Sequence, residues 1–305
     1  MHPPTIIDAG DKHIYRFTVD ASEVQALIDA AQAIQDTIPS VRITVLAVEL
    51  IVHESGTGRA RAFSGATTAS ITREELRQSL FASAKLSSDY FVMVVLATII
   101  AVIGLISDNP AVLVGAMVVA PFLGPNLALS FATSMGDRTI GWTAVRSLAI
   151  GMTMVIGGAA LLGALWPDLP DTNEIADRTV YGVEALLLAI ASGAAGVIAL
   201  TGAAPMTLVG VMVAVALLPP AAVVGLKLGE GDWFHAEGAA LLLLINIIGL
   251  NLAGNAVLTF KGITPRLWNE EEGARSSRAI SIALWLVALG IVYVLAKRHD
   301  AFSSL

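Results

Sequence analysis

The chain has 305 residues, of which 55% are hydrophobic and only 14% charged, and its mean hydropathy is +0.75. Soluble domains carry about 25% charged residues, so this composition reads as a membrane protein, and a net charge of −7 leaves no basic surface for nucleic acid. With no cysteine, disulfides and thiol chemistry are excluded.

Residues 1–70 read as a small cytoplasmic α/β module followed by a linker. The first residues, MHPPTIIDAGDKHIYRF, lack the apolar run of a signal peptide. Ile14, Arg16 and Thr18 alternate with Tyr15, Phe17 and Val19, the period of a strand. Asp20, Ala21 and Ser22 then open a stretch in which Val24, Leu27, Ile28, Ala31 and Ile34 recur at helical spacing, and Val41 to Val52 alternates again. The order β-α-β suggests a ferredoxin-like module, with a Gly/Ser/Ala linker from Ser55 to Ser70. Thr72, with Glu75 three residues on, forms a capping-box signal. It opens a connector over residues 71–87, whose amphipathic stretch from Arg73 to Leu86 would lie at the membrane surface.

Seven segments reach the roughly 17 to 25 apolar residues that cross the hydrocarbon. They are Tyr90 to Ile106, Ala111 to Thr133, Ala144 to Leu165, Val183 to Leu200, Met206 to Leu226, Ala239 to Phe260 and Ala279 to Ala296. The short connections Ser107 to Pro110 and Thr201 to Pro205 make spans one and two, and four and five, antiparallel hairpins.

A duplication organises these spans. Val102 to Pro125 reads VIGLISDNPAVLVGAMVVAPFLGP, and 95 positions later Val197 to Pro220 reads VIALTGAAPMTLVGVMVAVALLPP, with eleven of 24 positions identical. Gly136-Asp137 recurs as Gly231-Asp232 at the same offset. Each copy holds three spans, and an odd number makes the second copy enter the bilayer from the opposite side. The expected fold is therefore an α-helical polytopic membrane protein built on an inverted three-plus-three repeat. Copy one covers residues 88–167, copy two covers 183–262, and one further helix spans 277–298.

The same comparison marks a candidate site. Pro121-Phe122-Leu123-Gly124-Pro125 interrupts the second span, and Leu217-Leu218-Pro219-Pro220 is expected to interrupt the fifth. A proline has no N–H for the carbonyl four residues back. The carbonyls of Met117 and Pro121 in one copy, and of Val215 and Ala216 in the other, then lose their helical partners. In hydrocarbon such groups must find water, a side chain, a neighbouring helix or an ion. Helix breaks at matched positions of two inverted halves point to a midplane binding site. Asn126, Ser130 and Ser134 share one helix face after the first break, and Asn251 and Asn255 share a face in the sixth span, with Asn246 offset from them. Amide and hydroxyl oxygens suit a hydrated cation or a small polar solute; the competing reading of each asparagine is interhelical hydrogen bonding.

Ten Lys/Arg residues flank one side of the spans and four the other if the N-terminus is inside. That asymmetry favours a multi-pass protein of the cytoplasmic membrane with its N-terminus inside and its C-terminus outside. Arg146 lies where a long side chain can snorkel. Asp89 and Glu184, equivalent at the offset, read as solvated helix-start acids. No carboxylate lies deep in a span, which weakens a proton relay. P-loop, dinucleotide, HExxH, GxSxG and Cys/His signatures are missing, so neither enzymatic activity nor a cofactor is expected.

The run from Ile71 to Asp137, above all the GAM..APFLGP core and the trailing GD, resembles the bacterial and archaeal hydrophobic proteins grouped as domain of unknown function 389. The resemblance implies the membrane architecture and carries no catalytic residues with it. The function expected from the residues is transport, by a secondary transporter or channel, of a small ion or polar solute between the second and fifth spans. A membrane sensor or scaffold, whose N-terminal module binds a ligand or partner, is the alternative. The small-residue runs Gly157 to Ala160 and Ala191 to Gly196 suggest a homo-oligomer in the lipid bilayer.

Overall fold

The computed structural model describes residues 5–9, 12–17, 27–28, 30–31, 34, 73–166, 169–201, 206–261 and 268–303. The chain divides into two compact units, one of Met1–Leu76 with Thr201–Ala203 and one of Arg77–Leu200 with Ala204–Leu305. In the first, β1 (Thr5–Ala9) pairs antiparallel with β2 (Lys12–Arg16), with Ile7 opposite Ile14 and Ala9 opposite Lys12. The expected strand at Ile14 to Val19 overlaps β2, the second arm of a hairpin, at Ile14 to Arg16, and its last two residues lie outside the described ones. The capping box at Thr72, the linker and the Val41 to Val52 strand lie outside the described residues.

Residues 27–28, 30–31 and 34 are helical, and from Arg73 on there are ten helices among the described residues: α1 (Arg73–Ser83), α2 (Ser88–Ile106), α3 (Pro110–Val119), α4 (Leu123–Met135), α5 (Arg138–Leu165), α6 (Asn173–Ala176), α7 (Val183–Thr201), α8 (Met206–Glu230), α9 (Trp233–Phe260) and α10 (Trp268–Ser303). Five of the described helical stretches are long and apolar enough to cross a membrane: α2, α5, α7, α9 and Ile282–His299 of α10. The pair α3 and α4, bent by 58°, makes a sixth if it is one span. Helix α8, at 25 residues, is about 37 Å long and also matches the hydrocarbon thickness. Outward-facing Val92, Leu96, Leu161, Leu187 and Val287 leave an apolar surface for lipid. This is a multi-pass α-helical membrane protein.

Helix starts follow from local capping chemistry. Ser87 accepts from the Tyr90 N–H at 3.1 Å to open α2, and Asn109 accepts from the Ala111 and Val112 N–H groups at 3.1 and 3.3 Å to open α3. Gly136 and Gly231 both adopt left-handed φ values, 72° and 90°, where a side chain would be strained. The aspartate after each caps the next helix. Asp137 accepts from Thr139 and Ile140 at 3.0 and 3.1 Å, and Asp232 accepts from His235 at 3.2 Å.

Close contacts fix how the helices run. Tyr90 donates to the Ser147 carbonyl at 2.7 Å, and a Cβ on Gly158 would lie 3.4 Å from the Thr98 methyl, so α2 and α5 are parallel. Gly225 and Gly229 of α8 face the Ile156 and Ala160 carbonyls of α5, and Gly163 of α5 faces Leu226. Helices α5 and α8 therefore also run in one direction, with their backbones in near contact. Gly193 of α7 meets the Leu250 carbonyl of α9 in the same way. Without a hydrophobic force between helices in lipid, such small-residue contacts supply the packing energy.

The Glu230 end of α8 carries the one lysine that is buried among the described residues. Lys227, 3% exposed, reaches Glu230 at 2.9 Å, Asp171 at 3.3 Å and Asp232 at 3.7 Å. Asp232 is partly buried, which pushes its pKa up, but bonds from the His235 backbone and ring and the Lys227 charge outweigh this and hold it below its ordinary 3.8.

Two outcomes follow from this packing. Gly225→Val drives a side chain into the α5 backbone, with Ala159 Cβ only 2.6 Å from the new Cβ; it should cost about 1–3 kcal/mol in detergent melting, whereas Gly157→Ala, with nothing within 4 Å, should cost nothing. Because the pKa of Asp232 is depressed in the fold, its stabilisation is present above pH 3.8 and lost as the pH falls through the lower folded value. The melting temperature of Asp232→Asn should therefore lie below wild type at pH 7, with the gap closing in acid.

Candidate functional site: a broken span and a buried polar seam

Ala120 precedes a proline, which disfavours helical geometry at that residue, and its ψ of 123° ends α3. Three residues later α4 begins, with Pro125 in its first turn, where the missing N–H has no intrahelical partner to lose. The result is the 58° bend. Phe122, fully buried, wedges into the bend, and Gly151 of α5 lies against it: a Cβ there would sit 2.8 Å from Phe122 Cε1. Gly124 is equally constrained, since a Cβ would lie 2.8 Å from the Ser83 side chain at the end of α1. Ser147 of α5 donates to the Ala84 carbonyl at 2.5 Å, and Arg77 pairs with Asp137 at 2.7 Å. The end of α1 is thus seated on the broken span.

Below the bend, α4 turns a polar face to α9. Asn251 donates to Asn126 Oδ1 at 2.9 Å, and Ser130 donates to Asn251 Oδ1 at 3.0 Å. One turn on, Asn255 and Thr133 are joined at 3.0 and 3.2 Å. Gly254 allows this approach, as a Cβ there would lie 2.6 Å from Ser130 Oγ. Asn251 and Asn255 also donate to the Ile247 and Asn251 carbonyls one turn back, at 2.9 and 3.0 Å. Asn126, Ser130, Asn251 and Asn255 are 2% exposed or less. Every partner in this seam is neutral. Beyond it, Ser134 Oγ is fully buried and has no hydrogen-bond partner among the described residues.

The second expected break is corrected by the structure. Helix α8 runs unbroken from Met206 to Glu230 with Pro219 and Pro220 inside it, so Val215, Ala216, Pro219 and Pro220 are helical and do not form a matched gap. The Ala216 carbonyl, deprived of a donor by Pro220, receives the Asn246 side-chain amide at 2.7 Å instead. Asn246, offset from the Asn251–Asn255 face, is the residue that reaches α8. Of the expected site residues, Asn126, Ser130, Asn251 and Asn255 form one network, while Met117, Pro121, Gly124 and Pro125 flank the bend. Ala216, Pro219 and Pro220 sit in the apolar interior, where Met117 and Ala216 share one cluster. Arg146, Asp89 and Glu184 are exposed. No group of three or more His, Asp or Glu among the described residues is placed to hold a metal.

Asn251 is the hub, so Asn251→Leu leaves Asn126 and Ser130 without partners in an apolar surround. We expect a loss of about 1–2 kcal/mol in melting measurements, against a smaller loss for Thr133→Ser, which keeps the hydroxyl.

A family model described as "Domain of unknown function (DUF389)" matches residues 117–252, the stretch that holds the bend, the polar face of α4, α8 and Asn246. The chain is 33% identical over 229 residues to "Uncharacterized protein MJ0678" of Methanocaldococcus jannaschii, an alignment that covers 75% of this chain and 72% of that protein. No solved structure matches it. With a bent second span, a neutral seam against α9 and this relationship over most of its length, the chain belongs to the family of domain of unknown function 389.

Proposed function

We propose that this protein moves a small ion or small polar solute across the membrane along the α4–α9 seam, as a secondary transporter or channel. The observation that carries the reading is the stack of buried amide and hydroxyl groups from Asn126 to Asn255, starting at a helix break. Polar groups at membrane depth are costly unless they pair with each other or with a permeating species. This set can do both, because each amide and hydroxyl can exchange its neighbour for a solute oxygen or a hydrated ion. The neutrality of the seam fits a monovalent ion that keeps part of its water, or an uncharged solute.

The reading includes an inverted repeat, which two sets of contacts support. Ser130 of α4 packs on Gly254 of α9; exchanging the copies at the 95-residue offset gives Gly225 of α8 against Ala159 of α5, and that contact exists. Likewise the α2–α5 packing at Thr98 and Gly158 has its counterpart in α7–α9 packing, where Gly193, equivalent to Thr98, meets Leu250, three residues before Ala253, the equivalent of Gly158. The two Gly-Asp junctions, each a left-handed glycine and an aspartate cap, are equivalent as well. Inverted repeats with a discontinuous helix at their interface are a recurring transporter plan.

Two experiments test the proposal. Since the chain has no cysteine, Arg138→Cys and Trp233→Cys, equivalent exposed positions of the two copies, can each be probed on intact cells with an impermeant thiol reagent. Only Trp233→Cys should label from outside, and labelling of both would rule out the inverted repeat. Proteoliposomes are then assayed for K⁺, Na⁺, Cl⁻, urea and glycerol flux. At least one should exceed protein-free vesicles and fall about tenfold, the equivalent of 1.4 kcal/mol, in Asn255→Leu. No flux for any of them would move the account to a sensor or scaffold.

A further inference from the structure

The two copies differ where their sequences correspond most closely, and two positions go with the difference: Pro121, before which the first helix ends, is Ala216 in copy two, and Gly151 is Asn246. Pro125 and Pro220 are equivalent at the offset, and so are the residues four before them, Pro121 and Ala216. In copy one the chain breaks at that point. In copy two it stays helical, and Asn246 supplies the missing donor to Ala216. The residue equivalent to Asn246 is Gly151, which has no side chain to donate and lies against Phe122 in the bend itself. The same helix face in the two copies thus presents a donor in one and nothing in the other.

From this we infer that Asn246 is a positioning residue that latches α8 straight across Pro219–Pro220, and that α8 breaks there, as the second span does, when the latch opens. A carbonyl only accepts, so the group facing Ala216 must be the Asn246 amide nitrogen. The bond is an interhelical contact rather than part of the α8 ladder, so a small shift of α9 removes it and leaves a double-proline helix with an orphaned carbonyl. Breaking α8 while the first break closes would exchange the shapes of the two copies, which is how inverted repeats alternate access. The inference rests on the two-copy part of the proposed function; its test reads helix integrity, so the transport reading can fail while this stands.

The test is a double-mutant cycle in detergent-solubilised full-length protein, with melting temperature and amide hydrogen exchange of the 213–224 segment as readouts. Asn246→Leu removes the donor at nearly constant volume. Pro220→Ala restores a backbone N–H that can bond the Ala216 carbonyl without Asn246. We expect Asn246→Leu to lower the melting temperature by about 2–4 °C and to speed exchange in that segment several-fold, and both effects to vanish when Pro220→Ala is present. An asparagine that only caps the Ala216 carbonyl of a permanently straight helix would show the same rescue in melting temperature but leave exchange in α8 unchanged, and that result overturns the inference, as would equal losses in both backgrounds. If Asn246→Leu does not fold, folding of the double variant supports the latch, and failure of both overturns it.

Discussion

In hydrocarbon a peptide carbonyl without a donor costs several kcal/mol, and the membrane region is arranged around two places where proline creates one. Copy one meets the constraint by ending a helix at Ala120 and starting another at Leu123. Copy two meets it by bringing an asparagine from the next helix. Everything else in the core follows from where those two solutions put the chain. The bend turns the polar face of α4 toward α9, and the unbroken α8 lays its glycines along α5.

The contrast between the two interfaces is chemical. Between α5 and α8 the contact is made by Gly163, Gly225 and Gly229 against backbone, with no room for a side chain at those positions. Between α4 and α9 the position equivalent to Gly225 holds Ser130, and those equivalent to Ile156 and Ala160 hold Asn251 and Asn255, with Gly254 to bring the backbones close. One of two sequence-related interfaces is therefore packed on backbone and the other is lined with exchangeable hydrogen bonds. The bonds in the lined interface each contribute about 1 kcal/mol in such surroundings, strong enough to hold the helices and weak enough to be displaced.

Much of this was legible in the residues. The apolar segments fixed the helices to within a few residues at α2, α7 and the end of α5, because length and hydropathy are local properties. The bend at Pro121 was legible because a proline acts on the residue before it and the carbonyl four back. The seam was legible as faces, since Asn126–Ser130 and Asn251–Asn255 repeat at four residues, though which faces meet was not. The fifth span was misread for a related reason. Local chemistry says that Pro219 and Pro220 remove donors, but the repair comes from Asn246 on another helix, and only the helix packing reveals it. The gathering of Asp171, Glu230 and Asp232 on Lys227 was hidden in the same way, because it joins a loop, a helix end and a cap. The β1 strand was passed over even though Gly10-Asp11 between two strand-like runs is a hairpin signal.

The central claim is that the α4–α9 seam admits water and solute while the rest of the core is dry. Cysteine reactivity along α4 tests it most directly, on a background without native thiols. Ser130 lies on the seam and Ala128 lies two residues away on another face, and both are buried, at 1% and 0% exposure. With a small hydrophilic methanethiosulfonate reagent on reconstituted protein, Ser130→Cys should be modified and Ala128→Cys should not. Equal protection of both positions would mean that the seam is dry packing between helices, and the account would be contradicted.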